Sequence, residues 1–150
     1  MHDDILGRVA EDLLSIPPLV FRIIRRKLIM STLAESDVDI RYPHFEVMTV
    51  LKEGTMHVAK IGEKLQIAKA QMTHLIDKLV DLEMVDRNID SNDRRTVNIK
   101  LTKKGAAFME IYDNNIYNAV REYLSYLEDE DLESLSNSLR TLRDSLLKLQ

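Results

Sequence analysis

Apolar residues recur every three or four positions along most of the chain, which is the period of an amphipathic helix. This spacing predicts a lead-in helix over residues 3–15, a helix over 17–34 that begins at Pro17, and a helix that Pro43 opens and that ends near Gly54. Proline fits the first turn of a helix because its missing N–H would have no partner there. Glycine is common directly after the last helical turn.

The middle of the chain combines a short helix, a longer helix and a segment of strict alternation. The pattern predicts a short helix over 58–65, a turn at 66–68 and a helix over 69–83. The apolar face of the longer helix consists of Met72, Leu75, Ile76, Leu79 and Leu82. Residues 85–90 and 96–101 then alternate between apolar and polar side chains around a polar turn, which predicts a β-hairpin.

Two further helices follow the hairpin, and each carries a ladder of large apolar residues. Thr102 is a suitable N-cap for the first, and the acidic run at 128–131 suits the positive start of the second. One short helical lobe with a hairpin cannot bury both ladders, so we expect the last helix to form a dimer seam. The alternative is packing within one chain. The residues predicted to form the seam are Leu132, Leu135, Leu139, Leu142 and Leu146.

These elements predict a mainly α protein with a small β-hairpin wing. We divide it into N-terminal helices (1–42), to which the family resemblance given below assigns dimerisation, a winged helix-turn-helix lobe (43–104) and C-terminal dimerisation helices (105–150), all in one folding unit. At 150 residues the chain can bury a sizeable core without a metal or a disulfide. The absence of cysteine excludes a disulfide framework, a thiol nucleophile and a cysteine-based zinc site.

The sequence also bears on where the protein resides. No run of about 18 apolar residues occurs, so neither a membrane span nor a membrane partner is expected. The first eight residues start acidic and lack the basic region that precedes the apolar core of a secretory signal. We therefore expect a cytoplasmic protein.

Charge is distributed unevenly along the chain. The net charge is −4, yet residues 87–104 carry six basic residues against two acidic ones. A local excess of four positive charges on an acidic protein indicates a surface that faces an anion. The alternative is a solvated charged hairpin.

The order of short helix, turn, exposed helix and basic hairpin is the plan of a winged helix-turn-helix, in which the exposed helix enters the major groove of DNA. A hairpin tip with arginines can reach the adjacent minor groove, whose negative potential attracts them. The predicted DNA-binding residues are Lys69, Ala70, Gln71, Thr73, His74, Arg94 and Arg95. Asp93 is predicted to shape the turn that holds the two arginines. The alternative is a winged-helix module that binds protein and no operator.

Two segments resemble the MarR family of transcriptional regulators. Residues 65–79 are similar to the recognition-helix region of that family, and residues 90–105 are similar to its wing. The wing carries a D-x-R element at Asp93 and Arg95, followed by a Leu-Thr-x-x-Gly run that ends at Gly105. The resemblance covers the chain from about Pro17 onward.

The chain departs from this family pattern at three positions. Ala68 stands where a Ser or Thr cap of the recognition helix is usual. His74 stands where Arg is frequent, and Glu83 lies near the end of that helix, where a Gly is usual.

The resemblance implies a homodimeric repressor that binds a pseudo-palindromic operator in double-stranded DNA and dimerises through its N- and C-terminal helices. It also implies relief of repression by a small aromatic or anionic ligand. The residues assigned to line that ligand site are Arg25, Arg26, His44 and Tyr112. A core or ion-pair role is the alternative for each of them.

Catalytic motifs are not found in the sequence. The four histidines, His2, His44, His57 and His74, lack the spacing of a helical zinc site, and there is no nucleophile elbow, phosphate-binding loop or dinucleotide fingerprint. The carboxylates fall on helix faces predicted to be solvated. We therefore expect no enzyme activity, no cofactor and no metal.

Overall fold

The computed structural model describes residues 1–22 and 37–149. These form two compact units, Met1–Ile116 and Tyr117–Gln150. The division at 42 and 104 drawn from the sequence stays a prediction. In chain order, the described elements are α1 (His2–Val20), α2 (Tyr42–Leu51), β1 (Met56–His57), α3 (Val58–Leu65), α4 (Lys69–Asp81), β2 (Val85–Ile89), β3 (Val97–Leu101), α5 (Lys103–Leu124) and α6 (Asp129–Leu147).

Helix α1 does not break where the sequence predicts. Instead of ending near residue 15, it continues through Pro17 and Pro18 to Val20. The two prolines remove helical hydrogen bonds, but their fixed φ of about −65° is a helical value, so the helical backbone conformation continues through them. The remainder of the helix predicted over 17–34 lies mostly outside the described residues.

A three-stranded antiparallel sheet in the order β1-β3-β2 packs with α2, α3 and α4. The predicted hairpin is confirmed, since Val85 pairs with Leu101 and Ile89 with Val97. Strand β1 is not predicted by the sequence, because two residues are too few for an alternating pattern to be visible. Its Met56 pairs with Ile99. The buried apolar core consists of Ile40, Phe45, Val47, Met48, Leu51, Met56, Ile61, Met72, Leu75, Ile76, Leu79, Met84, Val85, Ile99, Met109 and Tyr112.

Thr102 joins the backbone that follows α4 to the start of α5. Its hydroxyl donates to the Glu83 carbonyl oxygen at 2.6 Å and accepts the Gly105 N–H at 2.9 Å. The second bond is an N-cap, as the sequence predicts. Glu83 itself has a φ of +59°, in the left-handed region. The Leu-Thr-x-x-Gly run therefore fixes where the wing ends and α5 begins.

The second compact unit holds the end of α5 and the whole of α6. Helix α6 begins after Glu128 and carries Asp129, Glu130 and Asp131 in its first turn, where the helix dipole favours acids. No residue of α6 is buried within the chain. Among the described residues, no helix has the length and apolar character needed to cross a membrane.

Candidate nucleic-acid interface

Helix α4 presents one apolar face and one polar face. Met72, Leu75, Ile76 and Leu79 are buried in the core. The predicted DNA-reading residues of this helix lie on the exposed side, and they are Lys69, Ala70, Gln71, Thr73 and His74. The helical period thus separates packing from surface chemistry within one helix.

The start of α4 has no side-chain cap. Its N-cap is Ala68, whose methyl group cannot accept a hydrogen bond from the first-turn N–H groups. These N–H groups and the helix dipole together favour an anion at this end. Lys69, directly after the cap, is exposed and adds a cation at the same end.

Thr73 and His74 follow one turn later. The Thr73 hydroxyl donates to the Lys69 carbonyl oxygen at 3.1 Å, which leaves its lone pairs and its methyl group to meet a base edge. His74 lines a cleft of about 340 Å³ together with His44 and Lys78. Lys78 is paired there with Asp39 at 3.0 Å, and this contact lowers the pKa of the Asp39 carboxyl.

Carboxylates brace the turn between β2 and β3. Asp93 accepts the Arg95 N–H at 2.9 Å through Oδ1 and the Thr96 hydroxyl at 3.2 Å through Oδ2. Asp90 accepts the Asn92 N–H at 2.8 Å. That bond, with a further one from the Asn98 side chain, holds the pKa of Asp90 below its usual value. The acids are thus engaged within the turn.

Arg94 and Arg95 lie at this turn with exposed side chains. Asp93 shapes this turn through hydrogen bonds to a backbone N–H and a hydroxyl group, and neither of these bonds uses an arginine guanidinium. Both arginines are therefore placed for an outside anion.

A cleft of about 880 Å³ lies between α3, α4 and the sheet. Its lining includes the apolar side chains of Ile67, Met72, Ile76 and Val97. Three cations also line it: Lys69, Arg87 and Arg95. The predicted helix and wing residues therefore border one depression.

Arg87 is a residue that the sequence did not assign. Its guanidinium donates a hydrogen bond from Nη2 to Oδ1 of Asp77 on α4, which links β2 to that helix. The sequence signal was its place in the alternating, basic segment. Nothing in that pattern identified Asp77 as its partner.

The four residues assigned to a ligand site have different positions. Arg25 and Arg26 lie outside the described residues. His44 is half-buried and its Nδ1 accepts the Arg41 N–H at 3.1 Å at the start of α2; burial lowers the pKa of His44. Tyr112 is buried with its ring centroid 4.0 Å from that of Phe45. The contacts of His44 and Tyr112 are those of a cap and a core residue.

The leucines assigned to the dimer seam are accessible within the second unit. Leu139 is 53% exposed, Leu146 is 40% exposed and Leu135 is 37% exposed. Leu132 and Leu142 are partly exposed. The ladder therefore presents apolar surface that this unit does not cover by itself.

Comparison with known proteins gives matches to regulators. The family model described as MarR family matches residues 40–97. The HTH-type transcriptional regulator MhqR of Bacillus subtilis is 27% identical over 97 residues, which are 64% of this chain and 67% of that protein. The HTH-type transcriptional repressor MdtR of the same organism is 25% identical over 88 residues, which are 59% of this chain and 57% of that protein.

Solved structures share the fold. A MarR family protein from Bacillus stearothermophilus superposes with a TM-score of 0.74 at 21% identity, covering 94% of this chain and 97% of that one. The YusO protein of Bacillus subtilis superposes with a TM-score of 0.71 at 20% identity, covering 96% and 98%. This chain is therefore similar to the MarR family from the residues before α2 to the first residue of β3, and it shares the fold of these solved structures.

Proposed function

We propose that the chain is a sequence-specific DNA-binding regulator, a repressor, which acts as a homodimer on a pseudo-palindromic operator. The observation that carries this proposal is the exposed, uncapped first half of α4 beside a turn with two exposed arginines. A helix of this kind fits the major groove of B-DNA, which is about 12 Å wide. The names of the two Bacillus subtilis relatives support the same function.

The contacts divide into positioning and reading. Lys69 at the start of α4 is assigned to a phosphate or a guanine, and Ala70 permits close approach of the backbone. Thr73 is assigned to a base or phosphate, and His74 to a base edge or backbone; Gln71 flanks them. Replacing Lys69 with alanine should mainly lower the affinity for DNA, whereas replacing His74 with alanine should change the preferred sequence. Each change should cost at most about 1–3 kcal/mol of binding free energy.

Arg94 and Arg95 are assigned to the minor groove and its phosphates. Their turn is held by Asp93, so the arginines are presented on a fixed loop. An A·T-rich minor groove is narrow and has enhanced negative potential, which favours inserted arginines.

The exposed apolar ladder of α6 supports dimerisation. Burying leucines against a second copy removes their apolar surface from water, at about 25 cal/mol per Å². We expect wild-type protein to sediment as a dimer at micromolar concentration. Leu139→Glu should raise the monomer fraction, because it places a charge in the seam, whereas Asn137→Glu, on the opposite face of the same helix, should not. A monomer that binds DNA as wild type does would contradict the dimer.

Relief by a small aromatic or anionic ligand is part of the proposal. The cleft of about 880 Å³ supports a ligand at a different place from the one assigned from the sequence, since it combines an apolar lining with three cations and is not lined by His44 or Tyr112. Ligand pockets of roughly 300–1,000 Å³ with a few polar groups are typical of small-molecule sites. The test is a panel of phenols and aromatic carboxylates added to the DNA complex. If no compound changes the affinity, constitutive repression is the better account.

DNA binding itself is tested by gel shift with genomic fragments at near-physiological salt. Wild-type protein should shift a subset of fragments, and a Lys69/Thr73/His74 triple-alanine variant should not. A Lys52/Lys148 double-alanine variant is the control, since it removes two exposed positive charges outside both the proposed DNA interface and the leucine ladder of α6. Equal shifts by wild type and the triple variant would refute the assignment of α4. No shift by wild type would favour the protein-interaction module.

A further inference from the structure

Asp77 places a carboxylate on the exposed side of α4. It follows Thr73 by four residues and His74 by three, and residues at these spacings share one face of a helix. Its side chain is 51% exposed. If α4 enters a DNA groove, this carboxylate approaches the phosphates, and like charges brought together at an interface weaken binding.

Arg87 of β2 is the cation paired with that carboxylate. The Arg87 side chain also lines the cleft of about 880 Å³, as Thr73 and Arg95 do. Arg87 therefore links the wing, to which its strand β2 belongs, to the helix that is predicted to read DNA. Its guanidinium compensates the Asp77 charge at the place where a phosphate backbone would run.

The Asp77–Arg87 ion pair is expected to contribute little to the stability of the fold. Both side chains are about half exposed, and exposed ion pairs typically contribute little to folding. The chain contains a matched example in Lys52–Asp113, which joins α2 to α5 with similar exposure, 41% and 47%. The two pairs differ in place, since Asp77–Arg87 lies on α4 and the wing.

We propose that Arg87 is a positioning residue for DNA recognition, which acts by masking the charge of Asp77 and not by contacting DNA. This inference rests on the proposed function. It predicts that the need for Arg87 disappears once Asp77 is neutral. A direct Arg87–phosphate contact predicts the opposite, because neutralising Asp77 cannot replace that contact.

The test is a double-mutant cycle on a duplex that wild type binds. Arg87→Gln should weaken binding about tenfold or more. Asp77→Asn alone should bind as well as wild type or better. The Asp77→Asn/Arg87→Gln double variant should recover to within about threefold of wild type, and Arg87→Lys should retain most of the affinity because it keeps a cation.

Salt dependence supplies a readout that a purely structural role does not change. The slope of log affinity against log salt should fall by about 1 for Arg87→Gln and return to the wild-type value in the double variant. Lys52→Gln is the control, and it should change neither affinity nor slope. Thermal melting of each variant checks that the fold is intact.

Two outcomes overturn the inference. Equal loss in Arg87→Gln and in the double variant would assign Arg87 to a direct DNA contact. Unchanged binding by Arg87→Gln would show that the pair does not serve DNA binding. Failure of wild type to bind any duplex is a different result, since it removes the proposed function as well.

Discussion

Gly105, in the first turn of α5, lies directly against the carbonyl group of Met84. A Cβ built on Gly105 would be 2.0 Å from the Met84 oxygen and 2.9 Å from its carbonyl carbon. The same Met84 oxygen accepts the Thr102 N–H at 3.0 Å. Glycine at 105 therefore allows α5 to start in contact with the backbone that leads into β2.

Gly105→Ala should destabilise the protein by at least about 2 kcal/mol, because the backbone that the new methyl group meets cannot rotate away as a side chain can. The free energy of unfolding from denaturant titration measures this. Gly7→Ala is the control, since no heavy atom lies within 4 Å of its Cβ position and the residue is on helix α1. That variant should leave stability unchanged or raise it by up to about 1 kcal/mol. Equal effects at the two positions would contradict the packing.

Glu83→Gly should stabilise the protein by roughly 0.5–1 kcal/mol, since a left-handed backbone costs an L-residue more than the added chain entropy of glycine. Glu83 has a φ of +59°. Its ion pair with Lys104, at 3.5 Å and largely exposed, adds little. Glu63→Gly, inside α3, is the matched control and should cost about 0.5–1 kcal/mol. A loss of stability at both positions would argue against strain at Glu83.

His44 should make the free energy of unfolding depend on pH below about 6.5, the ordinary pKa of histidine. Burial lowers the pKa of His44 in the folded protein, and its neutral Nδ1 accepts the Arg41 N–H. As pH falls below about 6.5, the unfolded chain takes up a proton on His44 before the folded protein does. The stabilising contribution of neutral His44 is therefore complete above that pH and is lost as pH falls toward the pKa of His44 in the folded protein.

His44→Gln removes the titrating ring and keeps an acceptor at the third helical position, as in a capping box. Its free energy of unfolding should therefore vary less than that of wild type between about pH 7 and 5. Asp90→Asn is the control, because the pKa of Asp90 is lowered and its contribution to stability is lost only as pH falls below the ordinary aspartate pKa of 3.8. Parallel curves for wild type and His44→Gln would rule out this role of the ring.

The two wing arginines should contribute to the salt dependence of DNA binding. Each cation that neutralises a phosphate contributes about 1 to the slope of log affinity against log salt, so Arg94→Ala/Arg95→Ala should reduce it by about 2. Affinity should fall for all sequences while the dimer stays intact. Lys52→Ala/Lys148→Ala removes the same charge outside the wing and the dimer seam, and it should leave the slope unchanged. If the wing variant gave the same line as wild type, the wing would not touch DNA.

Periodicity was sufficient to predict helices α2 to α6 and the hairpin because each of these elements carries its own pattern over many residues. The buried stripe of Met72, Leu75, Ile76 and Leu79 is an example. Strand β1 has two residues and is defined by its pairing with β3, so no local pattern marks it. The path of α1 through Pro17 depends on a helix already formed before it.

The candidate site also combines features that the sequence predicts with contacts that only the folded structure shows. Exposure of Lys69, Thr73 and His74 follows from helical spacing, which the sequence contains. The pairing of Asp77 with Arg87 depends on how β2 crosses α4, and that geometry is set by the packed core. Likewise His44 has the chemistry of a binding group, and its contact with the Arg41 N–H appears only in the folded backbone.

Selection of bound sequences from a random duplex library tests the central claim most directly. The account predicts enrichment of an inverted repeat whose half-sites lie about 10 base pairs apart, one helical turn, because a two-fold dimer places two copies of α4 in successive major grooves. The Lys69/Thr73/His74 triple-alanine variant should lose that enrichment. A wild-type protein that enriches no sequence, or one that enriches the same repeat without these three side chains, would contradict it.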